Sequence, residues 1–357
     1  MDPIAHTLVG AALAKSGLEK RSGYASLALV LGANLPDIDG LTYFVSGDLG
    51  LYFRRGWTHG LLAIATGPFV LAGALSLLAR LRGHGRARFG PLVWLSLLAL
   101  ATHPALDWFN NYGMRWLMPL DGRWSYGDAV FIVDPWIWLV LGGSLFLAAS
   151  HGVVRLIVWI LGAMAASFIV IAIVPGLLPW KLLFVAGLLV VVMLRANKLP
   201  RTPVGCEKLA RGAITFVAIY VLSMVALSTA AHRWALAHLR TQGVIVEKLM
   251  VGPAPVSPFT RDVVFSTPSS YRYGTLTIGP EMRLELSAES LPRNQDSPLV
   301  ARALRAPEVK GFAVWARFPW AEVDEEERGY RITLRDARYA RDRESSGFGT
   351  AVVFLRD

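Results

Sequence analysis

The chain has 357 residues, of which 54% are hydrophobic and 17% are charged, and its mean hydropathy is +0.44. This composition excludes an ordinary soluble enzyme and is typical of an integral membrane protein. The formal net charge of +10 does not indicate nucleic-acid binding, because the sequence has no basic stripe interleaved with aromatic residues. The expected partner is the lipid bilayer, and no nucleic acid is expected.

Apolar segments define the predicted helices in chain order. Two helices near the start, at residues 4–14 and 24–35, are too short to cross a bilayer alone, so we expect them to be half-inserted or packed inside a bundle. Four later stretches are uncharged and close to the roughly 20 residues that a spanning helix requires: residues 60–79, 89–106, 156–180 and 212–231. Two shorter apolar stretches, at 135–150 and 182–194, bring the prediction to about six spans.

The basic side chains fall in alternate connections between these spans. Thirteen lie on one side: Lys15, Lys20, Arg21, Arg80, Arg82, Arg86, Arg88, Arg155, Arg195, Lys198, Arg201, Lys208 and Arg211. Five lie on the other: Arg54, Arg55, Arg115, Arg123 and Lys181. By the positive-inside rule, the richer set faces the cytoplasm. This orientation places the second set, and the helix ends beside it, on the outer face of the membrane.

Six metal-binding side chains fall at the predicted outer ends of four helices: His6, Asp37, Asp39, His59, His103 and Asp107. Charge and imidazole next to lipid are costly, which makes a function the default hypothesis for them. Helices that bring their polar ends together can build a metal site. Each residue also has a simpler interpretation. A histidine and an aspartate four residues apart can hydrogen-bond to each other, and the two aspartates after Pro36 fit a turn that ends a helix.

Four short segments of the chain resemble those of a known family. The resemblance rests on His6-Thr7, Leu35-Pro36-Asp37-Ile38-Asp39, Arg55-Gly56-Trp57-Thr58-His59 and His103-Pro104-Ala105-Leu106-Asp107. These segments resemble the YdjM-like inner-membrane proteins, usually described as metal-dependent hydrolases, over roughly residues 1–200 and more loosely beyond. The resemblance implies a multi-pass inner-membrane protein. It also implies a distant similarity to the helical zinc-dependent phospholipase C and nuclease group, in which histidines and aspartates hold zinc for phosphoester hydrolysis.

The residue types indicate what such a site would do. Mixed imidazole and carboxylate ligands suit zinc above all, with manganese or iron as alternatives, and the number of side chains allows one or two ions. A bound metal lowers the pKa of water to roughly 7 and so supplies a nucleophile. The predicted metal ligands are His6, Asp37, Asp39, His59, His103 and Asp107. The two aspartates after Pro36 are also the predicted catalytic residues, with Asp39 either a bridging ligand or the general base.

Three further residues are candidates for substrate binding. Arg54 and Arg55 can bind an anionic group, or they can be an interfacial pair with no ligand. Asp134, which precedes a proline, can cap the next helix or join the metal site. The outer loop at residues 108–133 is rich in aromatic residues and turn formers, and we expect it to form a lid or wall of the site.

The composition changes after Ala231. Residues 232–357 carry eighteen basic and sixteen acidic side chains and no spanning run. Apolar residues alternate with polar ones in five short segments, which are predicted strands: residues 275–278, 283–286, 312–315, 330–334 and 351–355. We expect a small antiparallel sheet or sandwich on the outer side, so that residues 1–231 form the membrane domain and residues 232–357 a soluble β-rich domain. An ion pair between Arg317 and Asp336 is expected inside it.

Two hypotheses about function remain open. In the first, the protein is a membrane-bound metal-dependent hydrolase that uses metal-activated water on a phosphoester or lipid-linked substrate. In the second it is not catalytic, the His/Asp cluster is a structural or metal-binding site, and the outer domain binds a partner.

Overall fold

The computed structural model describes residues 1–83, 87–198, 202–344 and 347–356. Arg86 and Arg201, used above to predict the topology, lie outside the described residues. The chain divides into two compact units: Met1–Ile38, Arg55–Leu227 and Pro253–Pro258 form the first, and Asp39–Arg54, Ser228–Gly252 and Phe259–Asp357 form the second. The sequence placed one boundary after Ala231, whereas this division falls before Ser228 and adds the segment at 39–54 to the second unit.

The α-helices are α1 (Pro3–Lys15), α2 (Ala25–Asn34), α3 (Gly47–Phe53), α4 (Leu61–Leu81), α5 (Phe89–Trp108), α6 (Pro135–Ala149), α7 (Val153–Ile173), α8 (Leu178–Ala196), α9 (Pro203–Thr241), α10 (Pro298–Leu304) and α11 (Lys310–Trp315). Short 3₁₀ segments lie at Leu18–Arg21, Leu35–Phe44 and Pro307–Val309. The residues Trp138–Gly142 within α6 and Ile169–Ile173 at the end of α7 are π-helical.

Five described helices, α4, α5, α7, α8 and α9, are long and apolar enough to cross a membrane, and α6 is apolar but shorter. The single span predicted at 156–180 is wrong, because α7 ends at Ile173 and α8 begins at Leu178. Pro175 lacks a backbone N–H and disfavours the helical conformation of the residue before it, so the apolar run breaks there. The short stretch at 182–194 consequently belongs to a helix of 19 residues. The number of crossings stays a prediction.

Helices α1, α2 and α5 pack closely because small residues lie where they meet. A Cβ atom on Gly10 of α1 would lie 2.6 Å from the carbonyl oxygen of Leu29 in α2. A Cβ atom on Gly32 of α2 would lie 3.0 Å from the Cβ atom of Ala99 in α5. Small side chains let helix backbones approach in this way. The contact brings the end of α2 against the part of α5 that carries His103.

The second unit contains two sheets. The four-stranded sheet has the order β1 (Lys248–Pro253), β2 (Thr260–Ser266), β3 (Ser270–Thr277), β4 (Arg283–Pro292), and the three-stranded sheet has the order β5 (Pro319–Glu326), β6 (Gly329–Asp336), β7 (Thr350–Leu355). The pairs β2–β3, β3–β4, β5–β6 and β6–β7 are antiparallel. The β-rich domain is therefore confirmed.

Four of the five predicted strand segments overlap β3, β4, β6 and β7. The prediction for residues 312–315 is wrong, because these residues belong to the helix α11. Phe312 and Trp315 are both buried, and a spacing of three residues places them on one face of a helix. Four residues are too few to distinguish this spacing from the alternation of a strand.

Asp336 is buried in the second unit and has several donors. Its carboxylate accepts hydrogen bonds from the backbone N of Arg317 at 2.6 Å and from Nη2 of Arg338 at 2.9 Å. Burial alone would raise the pKa of Asp336, but the charge of Arg338 and these hydrogen bonds hold it below its usual range. The ion pair between Asp336 and Arg338 therefore stabilises the turn that follows β6.

Candidate metal centre

Four of the six predicted ligands converge in the first unit. Asp37 lies in the 3₁₀ segment after α2, His59 precedes α4, and His103 and Asp107 lie four residues apart on α5. One donor atom from each of these side chains lies within 4.8 Å of all the others. The side chains of His59, His103 and Asp107 are fully buried, whereas that of Asp37 is 15% exposed.

The distances between the donor atoms fit a metal ion. His59 Nε2 lies 3.1 Å from His103 Nε2, 3.2 Å from Asp107 Oδ2 and 3.8 Å from Asp37 Oδ1. His103 Nε2 lies 3.5 Å from Asp107 Oδ2 and 3.4 Å from Asp37 Oδ1. Ligands held at about 2.0–2.2 Å around a tetrahedral zinc ion are about 3.3–3.6 Å apart. Two imidazole nitrogens and two carboxylate oxygens at these distances could hold one divalent transition metal.

Hydrogen bonds on the far side of each imidazole orient its lone pair. His103 Nδ1 lies 2.6 Å from the carbonyl oxygen of Ala33 near the end of α2. A carbonyl oxygen only accepts, so Nδ1 of the neutral ring carries the hydrogen, and Nε2 presents its lone pair to the cluster. His59 Nδ1 lies 3.0 Å from the Thr58 hydroxyl, which can fix the same tautomer. The ring of His103 is therefore arranged as that of a metal ligand usually is, and the Thr58 contact allows the same arrangement for His59.

Asp107 is the most heavily contacted member of the cluster. Its Oδ2 atom forms an ion pair with Arg55 Nε at 2.9 Å, in addition to its contacts with the two imidazoles. Its Oδ1 atom contacts the α-amino group of Met1 and lies 3.2 Å from His6 Nε2. Positive groups therefore compensate this buried carboxylate on several sides.

Arg55 is buried, with only 3% of its surface exposed. Besides Asp107 it contacts Asn110, whose Oδ1 atom accepts a hydrogen bond from Nη1 at 2.9 Å. Its guanidinium lies 4.5 Å from the centre of the Tyr112 ring. The backbone φ of Arg55 is 52°, in the left-handed region that residues other than glycine rarely adopt. Such strain persists only where surrounding contacts enforce it, which indicates a constrained position.

His6 lies beside the four converging side chains. Its ring stacks on that of His103, with centroids 3.6 Å apart and an angle of 14° between the planes. Its Nε2 atom contacts Asp107, and its buried Nδ1 atom has no hydrogen-bond partner among the described residues. Its position fits a residue that supports Asp107 and His103, while its role as a ligand stays a prediction.

Asp39 and Arg54 belong to the second unit. The carboxylate of Asp39 forms an ion pair with Arg54, and the backbone oxygen of Asp39 accepts a hydrogen bond from the Thr42 hydroxyl at 2.6 Å. The catalytic role predicted for Asp39 and the substrate contact predicted for Arg54 stay predictions. In the same segment, Asp48, which the sequence did not mark, accepts hydrogen bonds at 2.9 Å from the backbone N of Gly311 and of Phe312.

Asp134 caps α6, one of the two roles that the sequence allowed. Its Oδ1 atom accepts hydrogen bonds from the backbone N of Trp136 at 3.0 Å and of Ile137 at 3.1 Å. Its Oδ2 atom accepts one from the Tyr220 hydroxyl at 2.9 Å. A substrate contact by Asp134 stays a prediction.

The loop before α6 packs on the segment that carries Arg55 and His59. The backbone N of Arg115 in this loop donates a hydrogen bond to the carbonyl oxygen of Arg55 at 3.0 Å. The carbonyl oxygen of Trp116 in the same loop accepts one from the backbone N of Leu61 at 2.9 Å. The loop therefore holds the chain on both sides of His59. Its predicted role as a lid or wall of the site stays a prediction.

Comparison with known proteins identifies the family. Residues 1–178 match the family described as YdjM inner membrane protein, and this stretch contains all four converging side chains. Through these residues the chain belongs to the YdjM family. The family and the five apolar helices together make it a multi-pass inner-membrane protein.

The chain is also similar to a protein of Bacillus subtilis (strain 168) called "Uncharacterized protein YfhP". The two are 26% identical over 113 residues, which is 32% of this chain and 33% of the relative. The alignment thus spans only about a third of that relative. No solved structure gives a significant match to the chain.

Proposed function

We propose that the protein is a membrane-bound metal-dependent hydrolase that acts on a phosphoester or lipid-linked substrate, at the outer leaflet that the basic residues predict. The observation that supports this proposal is the convergence of three fully buried donors, from His59, His103 and Asp107, with the carboxylate of Asp37 beside them. Zinc, or else manganese or iron, would supply a water acidic enough to act as a nucleophile at neutral pH.

The buried residues of the cluster hold and orient the site. His59, His103 and Asp107 are the proposed ligands, because all three are fully buried and converge. Ala33 fixes the ring of His103 through its carbonyl oxygen. Arg55 is a positioning residue, because it holds Asp107 Oδ2 and offsets part of its charge.

Asp37 is the proposed general base. A catalytic zinc site keeps one position open for water, whereas four protein ligands close it. Asp37 is the partly exposed member of the four, with 15% of its side chain accessible. Its two carboxylate oxygens are buried beside the cluster, so Asp37 would accept a proton from a water bound within the site rather than from bulk solvent.

Elemental analysis of the detergent-purified full-length chain tests the metal site. We expect about one equivalent of metal in the wild type after incubation with zinc or manganese, and none in the double variant His59→Ala, His103→Ala. His238→Ala is the matched control, because it removes a histidine of the second unit and should retain the metal. A wild type without metal, or a double variant that keeps it, would contradict the proposal.

Turnover tests the hydrolase. The wild type should cleave a member of a panel of phosphomonoesters, phosphodiesters and phospholipids, and Asp37→Asn should keep the metal but lose at least about a hundredfold in rate, as expected for the loss of a general base. An Asp37→Asn variant with wild-type turnover would exclude this assignment.

The alternative is a non-catalytic protein with a structural or metal-binding cluster, while the second unit binds a partner. One observation favours it: the buried oxygens of Asp107 already have partners in Arg55 and His6, and four protein ligands would make a closed site. In that case Asp37→Asn should release the metal and lower the thermal stability, and no substrate of the panel should turn over.

A further inference from the structure

A groove of about 340 Å³ opens in the first unit between α1, α6, α7 and α8. Its lining is apolar and includes Ile4, Trp138, Trp159, Gly162 and Phe184. Binding pockets for small ligands and cofactors are typically about 300–1,000 Å³ and mostly apolar. The groove is therefore large enough to hold part of an elongated apolar molecule.

Both π-helical stretches contribute to this groove. Trp138 and Gly142 belong to the first stretch, and Ile169 belongs to the second. Stretches of π-helix are rare and frequently occur at functional sites. Two of them in the lining of one groove are a second observation, independent of its size, that points to a ligand.

The surroundings determine the chemistry of the occupant. Helices α7 and α8 are among the described helices that are long and apolar enough to span the membrane. A groove lined by such helices excludes water-soluble and charged ligands, because burying an unpaired polar group there is costly. A hydrocarbon chain leaves no polar group unsatisfied.

The groove lies next to the metal centre. Ile4 and Leu8 of α1 line it, whereas His6 of the same helix contacts Asp107. Residues two positions apart point to nearly opposite faces of a helix, so a single helix separates the groove from the site. At the end of α1 nearest His6, Trp138 Nε1 of the groove donates to Asp2 Oδ1 at 3.1 Å.

We infer that this groove binds the hydrocarbon chain of a lipid substrate, whose head group is then presented to the metal centre around the first turn of α1. The inference rests on the proposed function only in that the bound lipid is called a substrate. The binding of a lipid chain can be tested without turnover. It narrows the substrate class from any phosphoester to a lipid with a long chain.

Photo-crosslinking tests the inference. The protein is reconstituted in vesicles of phosphatidylethanolamine and phosphatidylglycerol. A fraction of the phosphatidylethanolamine carries a diazirine at the end of one acyl chain. After photolysis, the labelled residues are mapped by mass spectrometry. We expect labelling to be concentrated on Trp159 and Phe184 of the groove. Val158 and Leu189, which are 63% and 58% exposed and do not line the groove, report ordinary bilayer contact.

Gly162→Phe should block the groove. A Cβ atom on Gly162 would have no described atom within 4 Å, so the larger side chain can be accommodated and occupies the space of the ligand. The displaced chain stays in hydrocarbon, so its loss from the groove follows from steric exclusion, and we expect groove labelling to fall to the level at Val158 and Leu189. Gly73→Phe in α4 is the control, because that position is equally open among the described residues and does not line the groove. Ala163→Phe replaces the first variant if that one does not give a monodisperse protein.

Groove labelling no stronger than at Val158 and Leu189, or unchanged by the blocking variants, would overturn the inference and would mean that ordinary bilayer lipid or a partner helix covers the groove. The metal content of each preparation separates the two proposals. Concentrated labelling in a wild type that binds no metal supports the groove and contradicts the hydrolase. Metal binding and turnover of soluble phosphoesters without such labelling supports the hydrolase and contradicts the groove.

Discussion

The packing of α2 against α5 should control metal affinity through one hydrogen bond, and Gly32→Ala tests this. The new methyl group would lie 3.0 Å from Ala99 Cβ and 3.3 Å from the backbone oxygen of Ser96. Carbon atoms in contact prefer about 3.5–4.0 Å, so the two helices must separate by about 0.5–1 Å. The residue that follows, Ala33, carries the carbonyl oxygen that accepts from His103 Nδ1 at 2.6 Å.

This displacement is enough to weaken the hydrogen bond. A movement of 0.5–1 Å lengthens the distance from 2.6 Å to about 3.1–3.6 Å, which extends from the upper end of the usual range of about 2.7–3.2 Å to well beyond it. When a metal-binding histidine loses the hydrogen bond to its second ring nitrogen, metal affinity falls by about 10–100-fold. Overpacking costs about 1–3 kcal/mol, whereas replacing a helical glycine by alanine contributes about 1 kcal/mol in the opposite direction. The variant should therefore be destabilised by about 0–2 kcal/mol.

The assay is a zinc titration of the detergent-purified protein against a coloured chelator, with thermal unfolding measured in parallel. Gly73→Ala is the matched control, because nothing among the described residues lies within 4 Å of its new methyl group. It should be more stable than the wild type by about 0.5–1 kcal/mol and bind zinc normally. Wild-type zinc affinity in Gly32→Ala would refute the link between helix packing and the site, even if the protein were destabilised.

Three further predictions concern other carboxylates. Asp336→Asn should lower the free energy of unfolding of the second unit by about 3–5 kcal/mol at neutral pH, because it leaves Arg338 buried without its counter-ion. The pKa of Asp336 is below the usual 3.8, so its contribution to the free energy of unfolding is present above pH 3.8 and is lost as the pH falls below that value. Denaturation measured across pH 2–6 should therefore show a loss of stability at acid pH in the wild type and a smaller loss in the variant. Asp48→Ala should speed amide hydrogen exchange at Gly311 and Phe312 and cost about 1–3 kcal/mol, while unchanged exchange would exclude the contact. Asp134→Ala should lower the free energy of unfolding by about 0.5–2 kcal/mol through loss of the helix cap and leave the metal content unchanged. Loss of metal in this variant would show that Asp134 contributes to the metal site.

Hydropathy predicted the positions of most helices but not their ends. The predicted spans at 60–79 and 89–106 differ by only a few residues from α4 and α5, because each is an apolar run bounded by polar residues. The run at 156–180 is equally apolar throughout, yet Pro175 divides it. A hydropathy average does not register the missing N–H group of one proline, whereas the helix depends on it.

The sequence by itself determined the class of the protein and the candidate residues. An apolar composition with a charged C-terminal part leads to a membrane helical part and a β-rich part, and histidines and aspartates beside apolar runs are costly enough to mark a site. Only the tertiary structure decided which of them converge, because Asp37, His59 and His103 are far apart along the chain and their donor distances depend on how α2, α4 and α5 pack. It also revealed the Ala33 carbonyl and the Arg55 ion pair. A backbone oxygen looks the same at every position of a sequence, and the partner of an arginine depends on three-dimensional contact, so no local pattern could have shown either one.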